Sequence, residues 1–220
     1  MLDSVSTVLN SVDISSLLLA TVIAYTLGAL PLADRLSRRR GVDIFAAGTG
    51  LAGSSNVMKS VGRISGSIVF LGDLAKGILA VVIAQALGVE GPWIVVPAAG
   101  AVVGHWNSVF TWLRGGDGLA TLGGATLAVF GIAGFIGVAI AGIVAFGGQK
   151  MPYTSLMSVI SGYVSIAIIN AMNLGDMRTM FAMGTLAFLA FGHAVLGHAR
   201  RRRGAMPGAE IAGAAEQLAK

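Results

Sequence analysis

Three polar clusters interrupt an otherwise apolar chain, and each holds residue types suited to binding anions or moving protons. The first spans residues 47–59, Ala-Gly-Thr-Gly-Leu-Ala-Gly-Ser-Ser-Asn-Val-Met-Lys. Its glycines leave backbone N–H groups open to an oxyanion, and Thr49, Ser54, Ser55 and Asn56 add short polar side chains. A polar turn ending in a Ser/Asn helix cap explains the same residues. The second runs from Gly104-His105 through Arg114 to Gly115-Gly116-Asp117-Gly118. A Gly-Gly-x-Gly loop before a helix can form an anion-binding nest, Arg114 supplies positive charge, and His105 is a candidate acid, base or phosphate donor. The plainer alternative is a glycine loop with Trp106 and Trp112 as interface anchors. The third is His198-Ala-Arg-Arg-Arg-Arg, which also reads as a topogenic cluster that binds anionic lipid. Asp73 and Lys76 lie on one helix face within an apolar run. They are expected to neutralise each other inside a bundle, as a structural ion pair or as scaffold for a site.

The elements that position these residues are helices in a bilayer. Of 220 residues, 55% are hydrophobic and 11% charged, against about 25% charged in soluble domains. Long apolar runs recur, which is the pattern of spanning helices. Many of the 32 glycines fall inside those runs, where small residues let helix backbones approach, as expected at Gly100-x-x-x-Gly104. Cysteine is absent, so disulfide, thiolate and cysteine–metal chemistry are excluded. His105, His193 and His198 are too scattered to suggest a metal site, and no metal or cofactor is expected. The net charge of +5 follows from where the arginines sit and does not point to nucleic acid.

Apolar runs cover residues 14–33, 64–87, 92–113, 119–146, 155–171 and 180–196. The fourth is too long for one crossing: as one helix it would measure about 42 Å, against a hydrocarbon core of about 30 Å. A break among the glycines at 131–137 would divide it. Charge arbitrates. Asp3 and Asp13 precede the first run with no basic residue, whereas Arg35, Arg38, Arg39 and Arg40 follow it, and Arg200 to Arg203 follow the last. An outside N-terminus and a cytoplasmic C-terminus need an odd number of crossings. The expectation is an all-α integral membrane protein of seven transmembrane helices. Residues 1–204 form one domain and residues 205–220 a short cytoplasmic tail. Lys59, Arg63, Arg114 and Lys150 then fall inside, and Glu90, Asp176 and Arg178 outside. The N-terminus lacks the positive region and cleavage site of a signal peptide, so the first helix is expected to persist.

Taken together the clusters resemble the motifs of the bacterial integral-membrane glycerol-3-phosphate acyltransferases that use acyl phosphate as donor. The family's first motif, G-S-G-N-x-G-A-T-N-V-x-R, is matched by Gly48-Thr-Gly-Leu-Ala-Gly-Ser-Ser-Asn-Val-Met-Lys59. A D-x-x-K-G signature is matched at Asp73-Leu-Ala-Lys-Gly77. The second motif, G-H-x-F-P-V-F followed by G-G-K-G-V-A-T, is matched by Gly104-His-Trp-Asn-Ser-Val-Phe110 and Gly115-Gly-Asp-Gly-Leu-Ala-Thr121. The third begins at a histidine and ends in G-x-E, matched by His198, Gly208 and Glu210. Order and spacing hold from about residue 28 to residue 210.

The resemblance implies acyl transfer from acyl phosphate to the 1-hydroxyl of glycerol 3-phosphate, giving lysophosphatidic acid for phospholipid synthesis. It implies seven spans and no covalent intermediate, with the site facing the cytoplasm at a bacterial inner membrane. It assigns His105, His198, Thr49 and Asn56 to catalysis. Lys59, Arg114, Gly115, Gly116, Gly118, Ser54 and Arg201 are assigned to substrate and phosphate binding. Membrane lipids, acyl phosphate and glycerol 3-phosphate are the implied partners. The chain departs from the pattern at five polar positions. Thr49 stands for serine, Leu51 for asparagine, Lys59 for arginine, Asp117 for lysine, and Arg201 for the asparagine of the third motif. An inactive relative, serving as a membrane subunit or lipid-binding protein with membrane-protein partners, is the alternative those changes leave open. A small transporter and an intramembrane aspartyl protease using Asp73 and Asp117 are more remote; the protease lacks its Gly-x-Gly-Asp sequence.

Overall fold

The computed structural model describes residues 13–147, 154–173 and 175–196, and these are helical with no strand among them. Eight α-helices follow in chain order: α1 Ile14–Ala29, α2 Leu32–Arg38, α3 Ser54–Ser60, α4 Arg63–Ala86, α5 Val95–Trp106, α6 Leu119–Gly147, α7 Thr154–Met172 and α8 Met177–Leu196. Five segments are long and apolar enough to cross a membrane: Ile14–Arg38, Arg63–Ala86, Gly91–Thr111, Leu119–Ala145 and Met177–Leu196. Leu156–Met172 is a shorter apolar helix. Outward-facing side chains such as Ile64, Ile132, Phe135 and Phe188 are large and apolar, as a lipid-facing surface requires.

Asp13 starts α1 by accepting the amide protons of Ser15 and Ser16, at 3.2 Å each. Those amides and the two serine hydroxyls hold its carboxyl down at about 2. The first apolar run does not stay one helix. Pro31 has no N–H and cannot continue the α1 ladder, so α1 ends at Ala29 and α2 starts at Leu32. The carbonyls of Ala29 and Leu30 would otherwise lack helical partners. Side chains from other segments take them: Ser108 Oγ donates to Ala29 O at 2.5 Å and Lys76 Nζ to Leu30 O at 2.6 Å. The chain break is therefore tied to the second polar cluster and to the buried ion pair.

Small residues set the helix contacts. Gly100 faces Thr21 and Gly104 faces Tyr25 and Ala29. Four residues forward on α5 match four forward on α1, so the two helices run parallel. A methyl group at Gly104 would lie 3.0 Å from the Ala29 amide nitrogen and closer still to the Tyr25 carbonyl oxygen. Both are backbone atoms and cannot give way. Gly104→Ala is therefore expected to cost about 1–3 kcal/mol, the range for overpacking, read as a lower unfolding temperature in detergent. An unshifted melt would show that α1 and α5 are not held this closely.

The fourth apolar run breaks at Gly131, whose φ of 54° and ψ of −122° leave helical space. A methyl group at Gly134 would lie 3.1 Å from Leu127 Cα, whereas in one straight helix those residues would be separated by about 10 Å. The chain thus turns back at Gly131 and α6 is two helices, the second antiparallel to α7: Gly137 meets Ile166, and Ser158 Oγ donates to Ala141 O at 2.6 Å. The main apolar core lies between α1, α4, α5, the first half of α6 and α8, around Val81, Ala98, Val102, Leu122 and Met183.

Candidate active site

The polar clusters converge at one end of the bundle. α4 contributes Asp73 and Lys76, the C-terminal turn of α5 contributes His105, and the loop after α5 contributes Ser108, Thr111, Arg114, Gly115 and Gly116. With the Leu30–Pro31 break and Ala52 they line a narrow cleft of about 20 Å³. At its floor Lys76 Nζ donates to Asp73 Oδ1 at 2.8 Å, and the side chains of Lys76 and Asp73 are only 8% and 3% exposed. His105 Nδ1 lies 3.6 Å from the same carboxylate oxygen. One carboxylate thus neutralises the buried ammonium and sits at one ring nitrogen of the histidine. The other nitrogen, Nε2, lies directly beneath Gly116.

The glycine pair is explained by that proximity. A side chain at Gly116 would strike His105 Nε2 and come within 2.8 Å of Ala52 O, and one at Gly115 would strike the His105 carbonyl. The Gly116 amide donates to His105 O at 3.1 Å, and Gly115 O accepts from Ala52 N at 3.1 Å. The Gly116 amide thus fastens the loop over the histidine. Gly118, at φ 77°, makes room for the Trp106 indole, whose Nε1 donates to Asp117 O at 2.8 Å.

The first cluster divides by function. Asn56 is buried, and its amide nitrogen donates to the carbonyls of Ile44, Ala47 and Leu51 at 3.2, 3.0 and 2.9 Å. Its oxygen accepts from Thr49 N and Ser60 Oγ. All of these partners lie within its own segment, so the side chain shapes the loop and does not face the cleft. Thr49 and Lys59 are exposed and outside the cleft lining, and Ser54 borders a separate apolar cavity. Leu51 is buried, 8% exposed, so the residue replacing the motif asparagine fills the loop's interior. Arg114 reaches back to this loop, its guanidinium carbon 4.4 Å above the Phe45 ring, a cation–π contact that ties the two loops together. His198 and Arg201 lie outside the described residues.

Asp117 does not line the cleft. Its Oδ1 accepts the Leu119 amide at 3.2 Å, one of the donors left open at the start of α6. The carboxylate in the lysine position therefore works as a helix cap. Trp106 is stacked on His193 of α8 with ring centroids 4.1 Å apart, so it is interior and not an interface anchor, whereas Trp112 is 90% exposed. Sequence reasoning gave no role to Ser108 or Thr111, both buried in the cleft wall. The signal for Ser108 was its place where the resembled motif carries proline, and for His193 there was none.

A family model described as glycerol-3-phosphate acyltransferase matches residues 18–201. A Rubrobacter xylanophilus protein of that name is 37% identical over 148 residues, covering 67% of this chain and 72% of the relative. A Geobacter sulfurreducens protein of the same name is 39% identical over 127 residues, 55% of this chain and 66% of the relative. A Deinococcus radiodurans glycerol-3-phosphate acyltransferase 1 is 44% identical over 104 residues, 47% and 52% of the two chains. The last two alignments thus span less than two thirds of those relatives' lengths. Among solved structures, the fold is similar to PlsY, an integral membrane glycerol 3-phosphate acyltransferase, in its glycerol 3-phosphate form. The TM-score is 0.68 at 25% identity, over 88% of this chain and 93% of that one.

Proposed function

The chain belongs to the glycerol-3-phosphate acyltransferase family, and on that premise we propose that it transfers an acyl group from acyl phosphate to the 1-hydroxyl of glycerol 3-phosphate. In the proposed step the hydroxyl oxygen bonds to the acyl carbonyl carbon and the acyl–phosphate C–O bond breaks. Inorganic phosphate leaves, and lysophosphatidic acid forms. The observation that carries the reading is the convergence of His105, the Asp73–Lys76 pair and Arg114 on one cleft. His105 Nε2 takes the hydroxyl proton, while Asp73 at Nδ1 orients the ring and stabilises the charge it acquires. Arg114 at the mouth binds phosphate by charge and by its planar fork. Arg201 is assigned to the second phosphate, His198 stays assigned to catalysis, and Lys59 is assigned to attracting both anions from the surface.

An apolar cavity of about 500 Å³ adjoins the cleft and takes the acyl tail. Its link to the cleft is short. Ala52 lines the cleft and Ser54 the cavity; Gly116 lines the cleft and Leu119 the cavity; Asp73 and its neighbour Leu74 face one each. A donor with its phosphate in one and its chain in the other spans a few ångströms between them.

The same reading places the cleft on the cytoplasmic face of a bacterial inner membrane, with seven crossings and the N-terminus outside. The return of the chain at Gly131 supports dividing the fourth run, and the parallel course of α1 and α5 supports one crossing between them. The test is donor discrimination. Purified protein given palmitoyl phosphate and glycerol 3-phosphate is expected to release phosphate and form lysophosphatidic acid in equal amounts, and palmitoyl-CoA is expected not to substitute. Transfer from palmitoyl-CoA alone would overturn the donor, and product from neither would overturn the activity.

A further inference from the structure

The apolar cavity has a deep end away from the polar cleft. Along the first half of α6 it is lined by Leu119, Ala120, Leu122, Gly123 and Thr126, one face at helical spacing, and Thr126 is the last of them. Along the second half the lining runs from Gly137 to Ala145, and along α7 from Ser158 to Ile166. Because α7 is antiparallel to that half, Gly137 and Ile166 fall at one end, and Ala145 and Ser158 at the other. The second end adjoins Ser54, Ser55 and Leu119, next to the polar cleft. The depth from Leu119 to Thr126 is about 11 Å.

Two features line the deep end. Ile166 is 1% exposed and fills the space over Gly137. Tyr163 turns its hydroxyl to Thr126, with the two oxygens 3.0 Å apart, and Thr126 is 2% exposed. In an apolar cavity a buried hydroxyl without a partner is costly, so each of these residues fixes the other. The bond joins α7 to the first half of α6 and holds the ring among the residues that line the deep end.

Building on the acyltransferase reading above, we propose that Tyr163, latched to Thr126, is the floor of the acyl-chain cavity and sets the donor length the protein prefers. A chain that reaches the ring must bend back or displace packed side chains, an overpacking penalty equivalent to a rate difference on the order of tenfold. Tyr163 is then a specificity-determining residue, remote from the reacting atoms and acting on the tail alone.

Two variants move the limit in opposite directions. Tyr163→Ala removes the floor. Gly142→Leu adds a side chain partway up the same cavity, at a position where a methyl group meets nothing within 4 Å, so it fills space without forcing the backbone. The measurement is kcat/KM for octanoyl, lauroyl and palmitoyl phosphates in one detergent with saturating glycerol 3-phosphate. The ratio of longer to shorter donors is expected to rise by about tenfold in Tyr163→Ala and to fall by a similar factor in Gly142→Leu. Should Tyr163→Ala not fold, the fall in Gly142→Leu carries the test of the cavity, and Thr126→Val, which breaks the latch at constant volume, is expected to raise the ratio. Unchanged donor ratios in variants that still transfer acyl groups would overturn the floor and leave the acyltransferase reading standing. A wild type inert with every donor would overturn both.

Discussion

His105→Ala is expected to lower acyl transfer by about 10²–10⁴-fold, the usual contribution of a positioned general base. Among the described residues His105 is the only histidine lining the cleft, and its ring is held from both sides. Asp73 Oδ1 stands 3.6 Å from Nδ1, and Gly116 lies over Nε2 with no room for a side chain. That arrangement fixes ring position and leaves Nε2 as the nitrogen for the substrate hydroxyl. Among the described residues lining the cleft, removing the ring leaves no free base, because the Asp73 carboxylate is already bonded to Lys76. The check is the initial rate of lysophosphatidic acid formation beside a thermal melt. A variant that folds and keeps a rate within about threefold of wild type would remove His105 from proton transfer.

Asp73→Ala is expected to cost stability and activity together. Lys76 is 6% exposed, and its ammonium has the Asp73 carboxylate and the Leu30 carbonyl as partners. Deleting the carboxylate leaves a buried cation with one neutral acceptor, a loss of about 3–5 kcal/mol. The double change Asp73→Leu with Lys76→Met removes both charges. It is expected to recover much of the melting temperature, since an apolar pair of similar volume is often as stable as a buried ion pair. The rate should stay low in the double variant, because His105 still lacks its carboxylate. A double variant restored in both would make the ion pair purely structural. A single variant that melts like wild type would show that Lys76 is not buried as a charge.

Much of this arrangement was legible in the residues. Glycine at Gly100 and Gly104 announced a close helix contact, and the contact is with α1. The glycines at 131–137 announced a break, and Gly131 makes it. His105, Arg114 and the Asp73–Lys76 pair were singled out by type and spacing, and they share one cleft. What the residues did not disclose depends on contacts distant in the chain. Pro31 interrupts the first apolar run, yet hydropathy is indifferent to whether a helix continues. The carbonyls it frees become ligands for Ser108 and Lys76 only once α4 and α5 are in place. Asn56 read as a polar site residue because its type is suited to substrate binding. Its amide is instead consumed by three carbonyls of its own loop.

Asp117 is the sharpest case. A carboxylate where the resembled motif has lysine reads as repulsion beside a phosphate. In the fold it caps α6 through Leu119 and points its carbonyl at Trp106, so the charge is spent at a helix N-terminus, where negative charge is favoured. Arg114, anchored on Phe45, remains as the cation at the cleft. The departure from the motif is thus compatible with an intact site.

That compatibility is the central claim, and it is tested by assaying the purified wild type beside Asp117→Lys with palmitoyl phosphate and glycerol 3-phosphate. The wild type is expected to form lysophosphatidic acid at a rate within about tenfold of the variant. A wild type that forms none, beside a variant that gains transfer, would contradict the account and leave the chain as a family member that has lost its chemistry at Asp117.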